Sequence, residues 1–369
     1  MLVRCQDCGC EEEFSLEGWR CACGGAWEPV GLPDFNRTFI KPDDYSIWRY
    51  GRMLGMDITS PLVQMGVGWT PLVTTHLFQR DVYLKLEFLS PSGSFKDRGV
   101  NTMVNQLFSM GVKSVIEDSS GNAGASVAAH AARFGIDAEI YVPAYASPAK
   151  QHQIVIYGAE VKPIQGPRKA AEEAAQAATL PGKAYASHAY NPAYLVGQVT
   201  AAYEIWEQAK GKVPDWILCP AAQGSQLLGY WMGFSKLLEA GLIKQLPHLV
   251  AIQAKRIAPI HQAWTQGLDH IPPIKSPRKT LAEGVAIPGP IRGKRILQAL
   301  TESRGNTLAI EEEEILPAQD LAAKLGYYIE PTSALVFAGL KQMIDQIGEG
   351  ERVLLTLTGS GLKGAPQYR

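Results

Sequence analysis

From Val82 onward the chain alternates short apolar runs with longer segments of helical spacing, and few architectures accept that pattern. The strand-like runs are residues 82–88, 114–118, 138–142, 216–219, 249–254 and 353–357. Apolar residues recur three and four apart over 100–110, 124–134, 148–157, 168–178, 195–209, 225–240, 291–303, 312–325 and 333–347, which predicts helices. Strands alternating with helices of that length predict an α/β fold, a doubly wound and mainly parallel sheet. Such sheets bind ligands at the carboxyl ends of their strands, so the loops that leave the strands are the place to look for chemistry. The chain has 369 residues, 46% of them hydrophobic, enough for more than one domain with a core of its own.

The most informative of these loops is Ser90-Pro91-Ser92-Gly93-Ser94-Phe95-Lys96-Asp97-Arg98-Gly99. Ser92, Gly93 and Ser94 give a turn whose backbone can pass close to a ligand, and Asp97 sits where a first-turn carboxylate favours a helix start. Lys96 therefore stands at the mouth of a helix and not along a solvated face. Burial beside Phe95 removes part of its hydration, lowers its pKa and leaves the neutral amine that adds to an aldehyde.

Three other loops have similar placement. Ser119-Ser120-Gly121-Asn122-Ala123-Gly124 opens an alanine-rich helix, whose unpaired N–H groups suit the carboxylate of an amino acid. Ala221-Ala222-Gln223-Gly224-Ser225-Gln226 opens another, where small residues let the backbone close on a phosphate and Ser225 adds a hydroxyl. Thr358-Gly359-Ser360-Gly361 ends the last strand.

Taken together, Ser94-Phe95-Lys96-Asp97-Arg98-Gly99, Ser120-Gly121-Asn122 and Leu357-Thr358-Gly359 resemble the fold-type II pyridoxal phosphate enzymes, and among them the threonine synthase group. The resemblance runs in the same order from about residue 48 to residue 363. It implies two doubly wound αβα domains: a large one from residues 31–85 and 190–369, which binds the cofactor, and a small mobile one from residues 86–189. It implies pyridoxal 5'-phosphate on Lys96, with Phe95 beside it, Asn122 on the phenolic oxygen, and a phosphate cradle of Ala222, Gln223, Gly224, Ser225 and Gln226. Thr358 would meet the pyridine nitrogen, which makes the ring a weaker electron sink than an aspartate partner would and favours elimination and replacement. Glu330-Pro331-Thr332-Ser333 matches the loop beside the ring, although Ser333 reads equally well as a helix cap.

The departures from threonine synthase bear on the substrate. Ser119, Ser120, Gly121, Asn122, Ala123 and Tyr194 form the expected substrate face, but the family's threonine is Ala123 here and its arginine is Tyr194. Those two side chains hold the phosphate of O-phosphohomoserine in the family, and a tyrosine cannot replace a guanidinium. The resemblance implies a lyase or synthase that carries out β- or γ-elimination with replacement on a small amino acid. The alternatives are a dehydratase or β-replacement synthase with an unphosphorylated substrate, and a non-catalytic binding protein. If phosphate is used, Arg168 or Lys150 would have to take over the lost charge.

Five of the six cysteines lie in the first 23 residues. Cys5-x-x-Cys8 and Cys21-x-Cys23 resemble the knuckles of a zinc ribbon, a closed structural site, with Cys10 able to substitute for Cys8. A formal charge of −1 argues against nucleic acid or an acidic membrane surface as partner. No apolar stretch is long enough to span a bilayer and no leader is legible, so a cytoplasmic homodimer working on a small amino acid is the expectation.

Overall fold

The computed structural model describes residues 1–56, 62–146 and 148–364, without the side chains of 148–150. A small antiparallel sheet comes first, β1 (Leu2–Cys5) pairing with both β2 (Glu11–Glu13) and β3 (Trp27–Pro29). The hairpin of β4 (Leu72–Leu77) and β5 (Arg80–Lys85) follows, then α1 (Lys96–Ser109), β6 (Ser114–Glu117), α2 (Asn122–Phe134) and β7 (Asp137–Pro143). The chain continues through α3 (Pro148–Ile156), β8 (Glu160–Ile164), α4 (Arg168–Ala177), β9 (Lys183–Tyr185) and α5 (Pro192–Gln208). Next come β10 (Trp216–Pro220), α6 (Ser225–Glu239), β11 (His248–Ala254), α7 (Pro259–Thr265) and α8 (Gly293–Glu302). The last elements are β12 (Asn306–Ile310), α9 (Glu312–Lys324), α10 (Pro331–Met343) and β13 (Val353–Thr356).

These strands build a six-stranded sheet, β12-β11-β10-β13-β5-β4, and a four-stranded one, β8-β7-β6-β9. Every pairing in both is parallel except β4 with β5. Period-two alternation sends the strand side chains of the larger sheet into two cores. Ile217, Cys219, Leu249, Ala251 and Leu354 face one core, while Leu218, Val250, Ile252, Val353 and Leu355 face the other. The smaller sheet has its own core, with Val115, Ile140 and Val142 against Val100, Val104 and Val127.

Helix α5 is buried nearly all round because it lies between α1 and α6. Asn191 starts it by accepting the Ala193 N–H at 2.9 Å, and Pro192 occupies the first position, where no N–H is required. A Cβ at Gly197 would sit 2.1 Å from the Arg98 carbonyl oxygen, so only glycine lets α1 come so close. That contact fixes the start of α1, where Lys96 lies.

Candidate active site

The strand order reverses at two places. In the large sheet β10 lies between β11 and β13, and in the small one β6 lies between β7 and β9. A parallel sheet opens a crevice at such a reversal, outside the carboxyl ends of the strands.

Lys96 is the first residue of α1, and the residues on either side of it fix its direction. The loop before it forms an isolated bridge between Ser94 and Gly359, with the Phe95 N–H donating to the Thr358 carbonyl at 3.0 Å. Asp97 accepts hydrogen bonds from the Ser92 N–H at 2.7 Å and from the Ser92 and Ser126 hydroxyls at 2.5 Å. Arg98 reaches into the large core, donating to Glu87 at 2.7 Å, to Glu204 at 2.7 and 3.0 Å, and to the Thr200 hydroxyl at 3.1 Å. Lys85 completes this buried quartet with a 2.6 Å bond to Glu204. Burial alone would raise the Glu204 pKa, but Arg98 and Lys85 reverse that and hold it at about 2. With its neighbours tied on both sides, Lys96 is left facing the crevice.

The Lys96 amine lies 4.8 Å from the Phe95 ring centre and 5.8 Å from that of Tyr194. Burial lowers its pKa to about 8; the charge of Arg168 acts in the same direction, and those of Glu117 and Glu330 oppose it. An amine so depressed has a substantial neutral fraction near neutral pH.

Four other loops reach the same crevice. Asn122, the first residue of α2, donates its amide to the Glu330 carboxylate at 3.0 and 3.2 Å, joining the small sheet to the residue that precedes α10. Ser119, Ser120 and Gly121 form the turn before it, and Ala123 is buried in the first turn. After β10, Gly224 takes φ of +74°, where an added Cβ would meet Ile296 at 2.4 Å, and the N–H groups of Ser225 and Gln226 open α6. Ala222 packs against the large core and Gln223 accepts the Ile291 N–H at 2.9 Å. The Thr358 hydroxyl lies 3.0 Å from that of Ser333, whose oxygen also accepts the Thr358 N–H and, at 3.2 Å, that of Gly359. Ser333 therefore serves the strand end and not the helix as a cap, a place that Glu330 takes at the start of α10. Tyr194 is fully buried, and its hydroxyl stands beside Ser225 and Gln198 without closing a hydrogen bond to either.

One cluster was not anticipated from the sequence. Glu117 ends β6, and its carboxylate lies 2.8 Å from His188 Nδ1 while accepting the His188 N–H at 3.3 Å. Next to it, Asp118 accepts the Tyr185 hydroxyl at 2.9 Å and lies 3.7 Å from Arg168. Arg168, the first residue of α4, is thus already engaged, and Lys150 lies outside the described side chains. A pair of acids closing an apolar strand was the available sign.

Residues 63–359 match the family described as Pyridoxal-phosphate dependent enzyme. The chain belongs to that family. Threonine synthase from Methanocaldococcus jannaschii is 32% identical over 377 aligned positions, covering 98% of this chain and 93% of that protein. The threonine synthase of Synechocystis is 35% identical over 322 positions, covering 85% and 82%. Among solved structures, the T.th. threonine deaminase superimposes with a TM-score of 0.70 at 27% identity, over 80% of this chain and 94% of that one. Maize serine racemase, at 22% identity and a TM-score of 0.69 over 79% and 88%, shares the fold. The architecture is that of the fold-type II pyridoxal phosphate enzymes.

The residues fit the family's cofactor. A phosphate needs converging donors, and the start of α6 offers N–H groups at a glycine that no side chain could replace. An aldehyde needs an amine that is neutral part of the time, and Lys96 supplies it.

At the N-terminus, Cys5, Cys8, Cys21 and Cys23 bring their four sulfurs within 4.8 Å of one another, with Cys5–Cys23 at 3.5 Å and Cys8–Cys21 at 3.6 Å. Four thiolates at about 2.3 Å from one zinc would stand about 3.8 Å apart, close to this spacing. Cys10 is exposed and lies outside the group; it contributes its carbonyl oxygen to the Cys5 N–H at 2.8 Å. The three-stranded N-terminal sheet is tied to the site. Gln6 donates to the Ile291 carbonyl at 2.7 Å, and Arg292 donates to the carbonyls of Trp27 at 2.7 Å and Tyr190 at 3.0 Å.

Proposed function

We propose that this chain is a lyase or synthase that acts on a small amino acid by elimination, with or without replacement, and that Lys96 holds the cofactor and then moves the α-proton. The observation that carries this reading is the half-buried Lys96 amine at the start of α1, 5.8 Å from the centre of the Tyr194 ring and lowered in pKa by burial. When bound, the cofactor supplies the sink that makes the α-proton acidic. The N–H groups at the start of α2 bind the substrate carboxylate, Asn122 and Thr358 orient the ring, and residues 222–226 hold its phosphate. Residues 86–189 form the mobile small domain that closes over the substrate. Addition of pyridoxal phosphate should produce a visible absorbance band that moves on addition of an amino acid; a protein that takes up no cofactor contradicts the reading.

The resemblance to threonine synthases implies O-phosphohomoserine as substrate, but the residues expected to contact its phosphate are altered. Ala123 and Tyr194 offer neither the hydroxyl nor the guanidinium, and each lost charged hydrogen bond costs about 1.5–3 kcal/mol, about ten- to a hundredfold in preference. O-phosphohomoserine is therefore expected to be a poor substrate. Tyr194→Arg together with Ala123→Thr should raise kcat/KM for it specifically. Efficient threonine formation by the unaltered protein would show that the pocket holds phosphate by other means.

The four clustered cysteines are proposed to bind one structural zinc. Metal analysis under reducing conditions should find one zinc per chain, and chelation should expose the first ~30 residues to protease, because closed zinc sites supply local folding energy. Since Gln6 bears on Ile291 and Ile291 on Gln223, chelation should also loosen the cradle, seen as cofactor released on dialysis. Protein purified without thiol oxidation that contains no zinc would count against the site.

A further inference from the structure

Glu117 ends β6 and His188 follows β9, so the two face each other across the reversal of the small sheet. Both are buried, and both carboxylate oxygens of Glu117 are turned to His188, one at 2.8 Å from Nδ1 and one at 3.3 Å from the backbone nitrogen. No hydrogen bond from the described residues engages Nε2. The His188 ring lies 6.1 Å from that of Tyr194, the same ring over which the Lys96 amine sits at 5.8 Å. The dyad thus adjoins the residue that moves the α-proton.

The charged groups facing the pair are Lys96, Arg168 and Asp118. Burial raises the Glu117 pKa to about 8 and pushes that of His188 well below its ordinary value. At neutral pH the carboxyl then keeps its proton and donates it to Nδ1, which places the imidazole proton on Nε2. Asp118 does not join the pair, being held by Tyr185 and Arg168. Three donors converge here as they would for a metal, but two cationic side chains beside them oppose a further positive charge.

We propose that His188, backed by Glu117, protonates an unphosphorylated hydroxyl as it leaves the substrate, which makes hydroxy amino acids the substrate class of this site. The proposal rests on the reading of Lys96 given above. A phosphate departs as a stable anion, whereas a hydroxide must be protonated as it goes. In the step, the Cα–H bond breaks and its proton passes to the Lys96 amine, while its electron pair becomes the new C=C bond. The C–O bond breaks with its pair on oxygen, Nε2 gives up its proton to form water, and the Glu117 proton moves to Nδ1. Lys96 has then gained a proton and Glu117 has lost one. Return of that proton from Lys96 to Glu117 through the site restores both groups.

The test uses the cofactor-loaded enzyme with serine and threonine as hydroxyl substrates and β-chloroalanine as a probe whose leaving group needs no proton. Exchange of the α-proton into deuterium oxide, followed by NMR, reports Lys96 independently of turnover. His188→Gln and Glu117→Gln are expected to lower turnover of serine and threonine by about 10²–10³-fold, leaving α-proton exchange and β-chloroalanine breakdown within about threefold. Glu117→Gln keeps the shape and the hydrogen bond to Nδ1, so it decides the matter even if His188→Gln folds poorly. The unaltered enzyme should lose serine turnover as the pH rises through about 8, where Glu117 gives up its proton, and β-chloroalanine should not show that loss. Equal losses on both kinds of substrate, or no loss on either, would overturn the proposal. Absence of α-proton exchange in the unaltered holoenzyme would overturn the reading of Lys96, and the proposal with it.

Discussion

Lys96→Ala is expected to abolish the bound chromophore and to lower turnover by about 10⁴-fold or more, the upper end of what one acid–base group supplies, because attachment is lost as well. The fold should survive. At pH 7 the ammonium is the main form in both folded and unfolded chains, and the lowered pKa means that the folded chain holds it less favourably. Alanine removes that disadvantage, so the melting temperature should stay level or rise. Among the described side chains no other buried lysine can stand in. Lys85 is committed to Glu204 at 2.6 Å, and Lys363 donates to the Ser92 carbonyl at 2.8 Å. Retention of a cofactor band in the variant would contradict the assignment.

Arg98→Met should have the largest effect on stability. The quartet of Arg98, Lys85, Glu87 and Glu204 is neutral as a set and wholly buried. Removing the guanidinium leaves two carboxylates against one ammonium, and stranding a buried charge in this way costs about 3–5 kcal/mol. The loss should also reach the site, because Arg98 lies two residues from Lys96 and anchors α1 to Glu87, in the turn after β5, and to Glu204 on α5. Glu87→Gln added to Arg98→Met should recover part of the loss by restoring charge balance. Denaturant unfolding of the unaltered protein and the two variants checks this; a loss under about 1 kcal/mol in Arg98→Met would show that water reaches the network.

The α/β alternation was legible because the inner strands β6, β7, β10, β11 and β13 are apolar runs, whereas the elements that escaped had other signals against them. The hairpin of β4 and β5 turns on Phe78 and Gln79, both with positive φ, where asparagine and glycine are the usual sign. At the edge of the small sheet, β8 carries Lys162 and Pro163, and β9 is only Lys183–Tyr185. The run 82–88 ends early as a strand because Glu87 turns inward to meet Arg98. Helix α1 begins before its apolar spacing does, since Lys96, Asp97 and Arg98 are charged, and periodicity reads charge as surface. Each of the three points inward, to the crevice, to Ser92 or to the quartet.

The site loops could be recognised because each follows a strand and carries its residues in one short stretch. Glu117 and His188 could not be paired from the sequence, since 71 positions separate them and only the placement of β9 beside β6 brings them together. Likewise the choice between Cys8 and Cys10 depends on which thiol turns toward the others, and it is the Cys8 sulfur that lies 3.6 Å from that of Cys21.

Lys96 is expected to be the lysine that carries the cofactor. Borohydride treatment of the loaded enzyme, followed by proteolysis and mass spectrometry, tests it most directly. The cofactor should be fixed on the peptide that contains Ser94-Phe95-Lys96, at one equivalent per chain and with loss of the visible band. A label on Lys363, Lys85 or any other lysine, or no label on a protein that still shows the band, would contradict it.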